Sequence, residues 1–280
     1  AADAAGNVTT ASFTVTVVDE QAPAITGMPD DITQPTDAGK VNAVVGWTIP
    51  EAIDNVGVAS FLPSKAPGSS FPLGVTTVTY TALDVAGNET IATFTVTVLD
   101  DEVPVISGLP DDIVQATDAG VSTAVVTWAA PTVTDNVAVA ATDSDHAPGG
   151  SFPLGTTTVT YRAEDEAGNK TMASFTVTVV DEEKPVFSGI PVDRALTTDT
   201  GKATAIATWT APTAVDNVGV VNLVSSHQPG AVFPVGASQV TYTATDAAGN
   251  EALATFTVTV ADDEAPMITG MPADIVVAAD

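Results

Sequence analysis

The residues best equipped for chemistry in this 280-residue chain are its carboxylates, 35 Asp and Glu against 7 Lys and Arg, with two His and no Cys. They recur at a fixed interval. Asp19, Asp100, Asp181 and Asp262 each open an acidic junction, as in Val18-Asp19-Glu20-Gln21-Ala22-Pro23 and Leu99-Asp100-Asp101-Glu102-Val103-Pro104, and the interval is 81 residues every time. Two more segments keep the same period. One is Asp54-Asn55, Asp135-Asn136 and Asp216-Asn217; the other is a turn holding Asp84, Asp165 and Asp246. Carboxylates and amides are hard oxygen donors, and calcium takes roughly 6 to 8 such oxygens. No His or Cys cluster favours zinc or copper, and no EF-hand loop is present. The chemistry therefore depends on whether the fold gathers these segments.

The elements that must do so are legible in residues 101 to 181. Val105-Ile106 followed by Pro110-Asp111-Asp112-Ile113-Val114 reads as a first strand interrupted by proline, which suits a sheet edge. Ala124-Val125-Val126-Thr127-Trp128 is a second strand, ended by a proline-bearing loop, 130 to 136. Val137 to Ala141 is a third, and the turn-dense stretch from Pro148 to Gly155 reads as a crossing loop. Thr157 to Ala163 then alternates with Val159, Tyr161 and Ala163 on one face. After the tight turn Asp165-Glu166-Ala167-Gly168-Asn169, Phe175, Val177 and Val179 alternate on the return strand. No segment has helical periodicity. The predicted fold is all-β, a tandem of immunoglobulin-like β-sandwiches with about seven short strands per 81-residue repeat. Trp47, Trp128 and Trp209, one per repeat, read as core anchors. Asn7, Asn88 and Asn169 form Asn-X-Thr sequons, although the turn alone accounts for them.

Strand direction gathers the carboxylates. If the first strand runs down from the junction, the turn at Asp118 is at the bottom and the second strand climbs back to Asp135-Asn136 at the top. The hairpin's return strand ends at the next junction, at the bottom, so its turn at Asp165 is also at the top. Candidate metal ligands are thus Glu20, Asp54, Asn55 and Asp84 in the first repeat. In the second they are Asp100, Asp101, Glu102, Asp135, Asn136 and Asp165, and in the third Asp181, Glu182, Asp216, Asn217 and Asp246. Asp118, at the opposite pole, faces the following junction. A plainer reading stands beside this one: Asp, Asn and Gly are what turns select, and acidic linkers keep an array soluble.

The period divides the chain into repeats at 20–100, 101–181 and 182–262, flanked by the C-terminal part of a preceding repeat at 1–19 and the N-terminal part of a following one at 263–280. It reads as a window on a longer array. The net charge of −28 repels nucleic acid and anionic membranes, and no apolar run is long enough to span a bilayer. Partners are then neighbouring repeats of the same chain and, in a filament, like chains. His146 and His227 share a repeat position that Lys65 fills in the first repeat, so no shared catalytic role follows, and the chain reads as no enzyme.

The ordered set Pro104-Val105-Ile106, Pro110-Asp111-Asp112-Ile113, Trp128, Asp135-Asn136, Phe152-Pro153-Leu154-Gly155, Thr158-Val159-Thr160-Tyr161, Ala167-Gly168-Asn169 and Phe175-Thr176-Val177-Thr178-Val179 resembles the hyalin repeat, over nearly the whole of each unit. The resemblance implies an immunoglobulin-like extracellular module associated with adhesion, secreted or at a cell surface. That family's usual cysteines would fall near Leu109 and Ala173, and their absence is similar to copies in large bacterial surface proteins. The expected function is a structural spacer, an extended rod of units about 40 Å long stiffened by calcium at the junctions. The alternatives are a laterally assembling fibre or sheath and a glycan- or protein-binding adhesion module.

Overall fold

The computed structural model describes residues 1–277, and all its regular elements are strands. The chain forms two compact units. One comprises residues 1–108, 131–144 and 161–173, and the other residues 109–130, 145–160 and 174 onward, so the division passes through the second repeat.

In the first unit, the first repeat has eight strands: β1 (Ala24–Thr26), β2 (Ile32–Pro35), β3 (Asn42–Val45), β4 (Glu51–Ile53), β5 (Val58–Pro63), β6 (Ser69–Pro72), β7 (Gly74–Asp84) and β8 (Glu89–Leu99). One sheet has the order β2-β8-β7-β5; β3 pairs with β6, and β1 with β4. The interrupted first strand is two edge strands. Antiparallel β1 pairs with β4 and parallel β2 with β8, so the chain changes sheets across the segment bearing Pro29, where no ladder hydrogen bond is required of it. Asp31 closes that change, its Oδ1 accepting the Thr95 N–H of β8 at 2.7 Å.

Period-two burial in β7 and β8 turns Val78, Tyr80, Phe94, Val96 and Val98 inward against Ala43, Val45 and Phe71 of β3 and β6. Each large side chain buried there contributes about 1.5–3 kcal/mol, in a core with no disulfide to assist it. Trp47 lies just past the end of β3, edge-on to Phe71 and Phe94, and its Nε1–H donates to Tyr80 Oη at 2.9 Å. It anchors the core from outside the strand in which the sequence places it.

In the second unit, the third repeat has the same arrangement. Arg194–Thr197 runs parallel to Val258–Ala261, and the hairpin Gly236–Asp246 with Glu251–Ala261 carries Val220–Ser225 at its other edge. Trp209 is buried, donating to Tyr242 Oη at 2.8 Å. The second repeat repeats these pairings: Val105–Ser107 with Thr132–Thr134, Thr123–Val126 with Gly150–Pro153, and Ile113–Ala116 in parallel with Val177–Val180. The crossing loop of the sequence reading therefore contains a strand, Gly150–Pro153, and the proline loop contains another, Thr132–Thr134. Turn-forming residues mask both.

Candidate metal centre

Among the described residues, three trios of carboxylates lie at the heads of the repeats: Asp19, Asp54 and Asp84; Asp100, Asp135 and Asp165; Asp181, Asp216 and Asp246. Within each trio, one oxygen from every member lies within 4.8 Å of the others. The members come from three segments that chain order keeps far apart, and each is fixed by its own local turn.

The hairpin aspartates are held most firmly. Asp84 Oδ1 accepts the N–H groups of Ala86, Gly87 and Asn88 at 2.6–2.9 Å, while Oδ2 takes Asn88 Nδ2–H at 2.7 Å. Asn88 Nδ2 also donates to the Asp19 carbonyl at 3.1 Å, which ties the turn to the junction. Asn169 and Asn250 repeat this, each donating to its turn aspartate and to the carbonyl of Asp100 or Asp181. The turn's positive φ falls on Gly87, Gly168 and Gly249, leaving Asn free to cap the carboxylate. Asp84, Asp165 and Asp246 are only 2–3% exposed. Burial by itself would raise their pKa values, but the Asn side chain and the backbone donors outweigh it and hold all three below the usual carboxylate range.

The loop aspartates use one oxygen in the same way. Asp135 Oδ1 accepts from Val137 and Ala138, Asp54 Oδ1 from Val56 and Gly57, and Asp216 Oδ1 from Val218 and Gly219, at 2.9–3.1 Å. At the junctions, Asp19, Asp100 and Asp181 take the N–H two residues on.

The second oxygens bear on the two sequence readings. Turn capping accounts for every Oδ1, yet Asp19 Oδ2, Asp135 Oδ2, Asp181 Oδ2 and Asp216 Oδ2 are buried with no hydrogen-bond partner, as are Asn136 Oδ1 and Asn217 Oδ1. Asp181 as a whole is 7% exposed. A buried, unpaired carboxylate oxygen is costly, and two such charges about 5 Å apart repel by about 1 kcal/mol in water and 3–4 at an effective dielectric near 20. Burial raises the Asp100 pKa, with Asp135 and Asp165 adding to it and the Asn136 amide and Glu102 N–H opposing. Solubility alone does not call for burying oxygens within such clusters. The donor set, carboxylate and amide oxygen without sulfur or imidazole, fits a hard divalent cation of the calcium type.

Other candidates go elsewhere. Glu20, Asp101 and Glu182 are exposed and outside the trios. Glu102 turns to the preceding repeat, where its Oε1 accepts Gly39 N–H at 2.8 Å; Glu183 does the same for Gly120 and Glu264 for Gly201. Asn55 is exposed and turns its amide nitrogen to Asp54, whereas Asn136 and Asn217 reach the preceding repeat. Asp118 meets the following junction through its turn, since its own Oδ2 accepts Val125 N–H. Asp19 is the member that sequence reasoning left out. Its register with Asp100 and Asp181 was the available signal, obscured by a boundary drawn after it.

The sheets and the repeated poles define a tandem immunoglobulin-like all-β protein. The sequence profile of the HYR domain matches residues 18–98, 99–179 and 180–260. The chain belongs to the HYR domain family. Hyalin of Lytechinus variegatus is 39% identical over 288 residues, covering 99% of this chain and 54% of that protein. Hyalin of Strongylocentrotus purpuratus is 38% identical over 280 residues, covering 95% and 23% respectively. The chain thus spans about half the length of the first and under a quarter of the second. These relatives are animal proteins and lend no support to the bacterial kinship suggested by the missing cysteines. Among solved structures, Sidekick-1 immunoglobulin domains 1–5 align at a TM-score of 0.33 and 14% identity, over 86% of this chain and 59% of that one.

Proposed function

We propose that this chain is a load-bearing spacer of an extracellular adhesion protein, and that calcium held by each aspartate trio stiffens the joint between successive repeats. The observation that carries the reading is the set of buried, unpartnered second oxygens on Asp19, Asp135, Asp181 and Asp216. Asp54, Asp84, Asp100, Asp165 and Asp246 complete the three sites, with Asn136 and Asn217 as further donors. A bound ion cancels the repulsion within a trio and fastens the junction strand to the loop and hairpin turn beneath it. The role is mechanical, with the secreted or surface location that adhesion requires; among the described residues no helix is long and apolar enough to cross a membrane.

Thermal melts of the chain in calcium and in chelator test this. Binding to the folded state alone stabilises it by about 2.7 kcal/mol at a free calcium concentration 100 times Kd, so the transition rises in calcium. Identical melts would remove the ion from the account.

A second reading, lateral assembly of like chains, has its own observation. On the outer sheet face of the first repeat, Leu62, Thr81 and Ile91 lie in one cross-strand row, with Leu62 and Ile91 66% and 57% exposed. Val224, Thr243 and Leu253 form the corresponding row in the third repeat. Exposed apolar rows favour association. Sedimentation of the chain against a variant with Leu62, Ile91, Val224 and Leu253 changed to Thr distinguishes the two: concentration-dependent association lost in the variant supports assembly, and a monomer in both excludes it.

A further inference from the structure

Asn136 stands in the second repeat but holds a turn of the first. Its Nδ2–H groups donate to Thr36 Oγ1 at 3.1 Å and to the Lys40 carbonyl at 2.9 Å. One repeat later, Asn217 Nδ2 donates to Thr117 Oγ1 and the Val121 carbonyl, both at 3.0 Å. A carbonyl only accepts, so these bonds fix the amide orientation and leave Oδ1 on the other side, where in both residues it is buried and unpartnered. Asn136 follows the trio member Asp135 in sequence, and its amide N–H is within hydrogen-bonding reach of the carboxyl of another member, Asp100, so the amide group sits beside the trio. Thr36 and Thr117 are themselves buried, 6% and 9% exposed. Glu102 and Glu183 grip the same two turns from the junction side, through Gly39 and Gly120 N–H.

We infer that Asn136 and Asn217 couple cation binding to the docking of the preceding repeat, the amide oxygen serving the cation and the amide nitrogen serving the turn. This rests on the calcium reading of the trios and extends it. The ion polarises the amide that bonds to residues 36–40 or 117–121, so the turn of one repeat is fixed by an ion held in the next. Asn136 and Asn217 are positioning residues for the joint as well as donors. By reciprocity, a docked turn presents Asn136 or Asn217 ready oriented and raises the affinity of that site.

Hydrogen exchange on the full chain, with calcium and with chelator, reads the coupling. No residue of segments 36–42 or 117–123 belongs to a trio, yet calcium is expected to slow exchange in both by about tenfold. Asn136→Asp keeps two oxygen donors but removes both N–H groups. It is expected to bind calcium while losing the slowing in 36–42 only, with 117–123 as internal control; Asn217→Asp should do the converse. Thr36→Val, which deletes the accepting hydroxyl and leaves every carboxylate in place, should shrink the effect in 36–42. Calcium binding with no slowing in the parent chain, or slowing retained in Asn136→Asp, overturns the coupling alone. Failure of the parent chain to bind calcium overturns the trio reading and the coupling with it.

Discussion

In Asp135, which is clustered with Asp100 and Asp165, the two carboxylate oxygens have opposite surroundings: Oδ1 accepts two backbone N–H groups, and Oδ2 is buried without a donor. Asp135→Asn keeps the first and discharges the second. We expect it to weaken calcium binding by about tenfold or more, about 1.4 kcal/mol per decade, while the melting temperature in chelator stays the same or rises; a calcium titration paired with a melt checks both. Asp246 differs, because both its oxygens are satisfied by Asn250. Asp246→Ala leaves buried donors unpaired and should destabilise the third repeat by about 1–3 kcal/mol, measured by denaturant unfolding in chelator. Away from the trios, the backbone N–H of Thr176 holds the Asp112 pKa below its ordinary value of 3.8. A depressed folded-state pKa gives stability that is present above the unfolded value and is lost as pH falls through the folded one. Stability in chelator should therefore decline below about pH 4, and less steeply in Asp112→Asn, which keeps the acceptor and no longer titrates. An equal slope in both chains would count against this bond.

At the scale of elements, the long hairpin is the rigid part of each repeat and sets the position of the turn aspartate. Its entry needs a left-handed residue: Gly74, Gly155 and Gly236 have φ of +93°, +98° and +110°. Nothing lies within 4 Å of a Cβ built at Gly236, so Gly236→Ala measures backbone strain alone, expected at about 1–2 kcal/mol in unfolding free energy. The hairpin was the most legible element, since Val159, Tyr161, Phe175, Val177 and the Thr residues between them impose period two over most of two strands. The poles followed from strand direction alone, which is why Asp135 and Asp165 could be placed together from sequence. What remained hidden has a physical cause. Gly150–Pro153 is too rich in Gly, Ser and Pro to show a period, and Thr132–Thr134, three residues between Pro131 and Asp135-Asn136, is too short. Asp101 and Asp100 are identical in type, and only the backbone decides which turns inward. Glu102 had no local signal that it would cap a turn 63 residues away.

Across the whole molecule, the repeated feature is a joint: a trio, an Asn and a Glu at matching positions. The Asp-rich composition, with a net charge of −28, opposes such joints through self-repulsion until cations are supplied. Calcium, rather than a larger core or a disulfide, is therefore the proposed source of order between repeats. Isothermal titration of the full chain with calcium tests that claim most directly. Saturable binding at three sites per chain, matching the three trios, is the predicted result. No binding up to millimolar calcium, the weak end for extracellular modules, would contradict it.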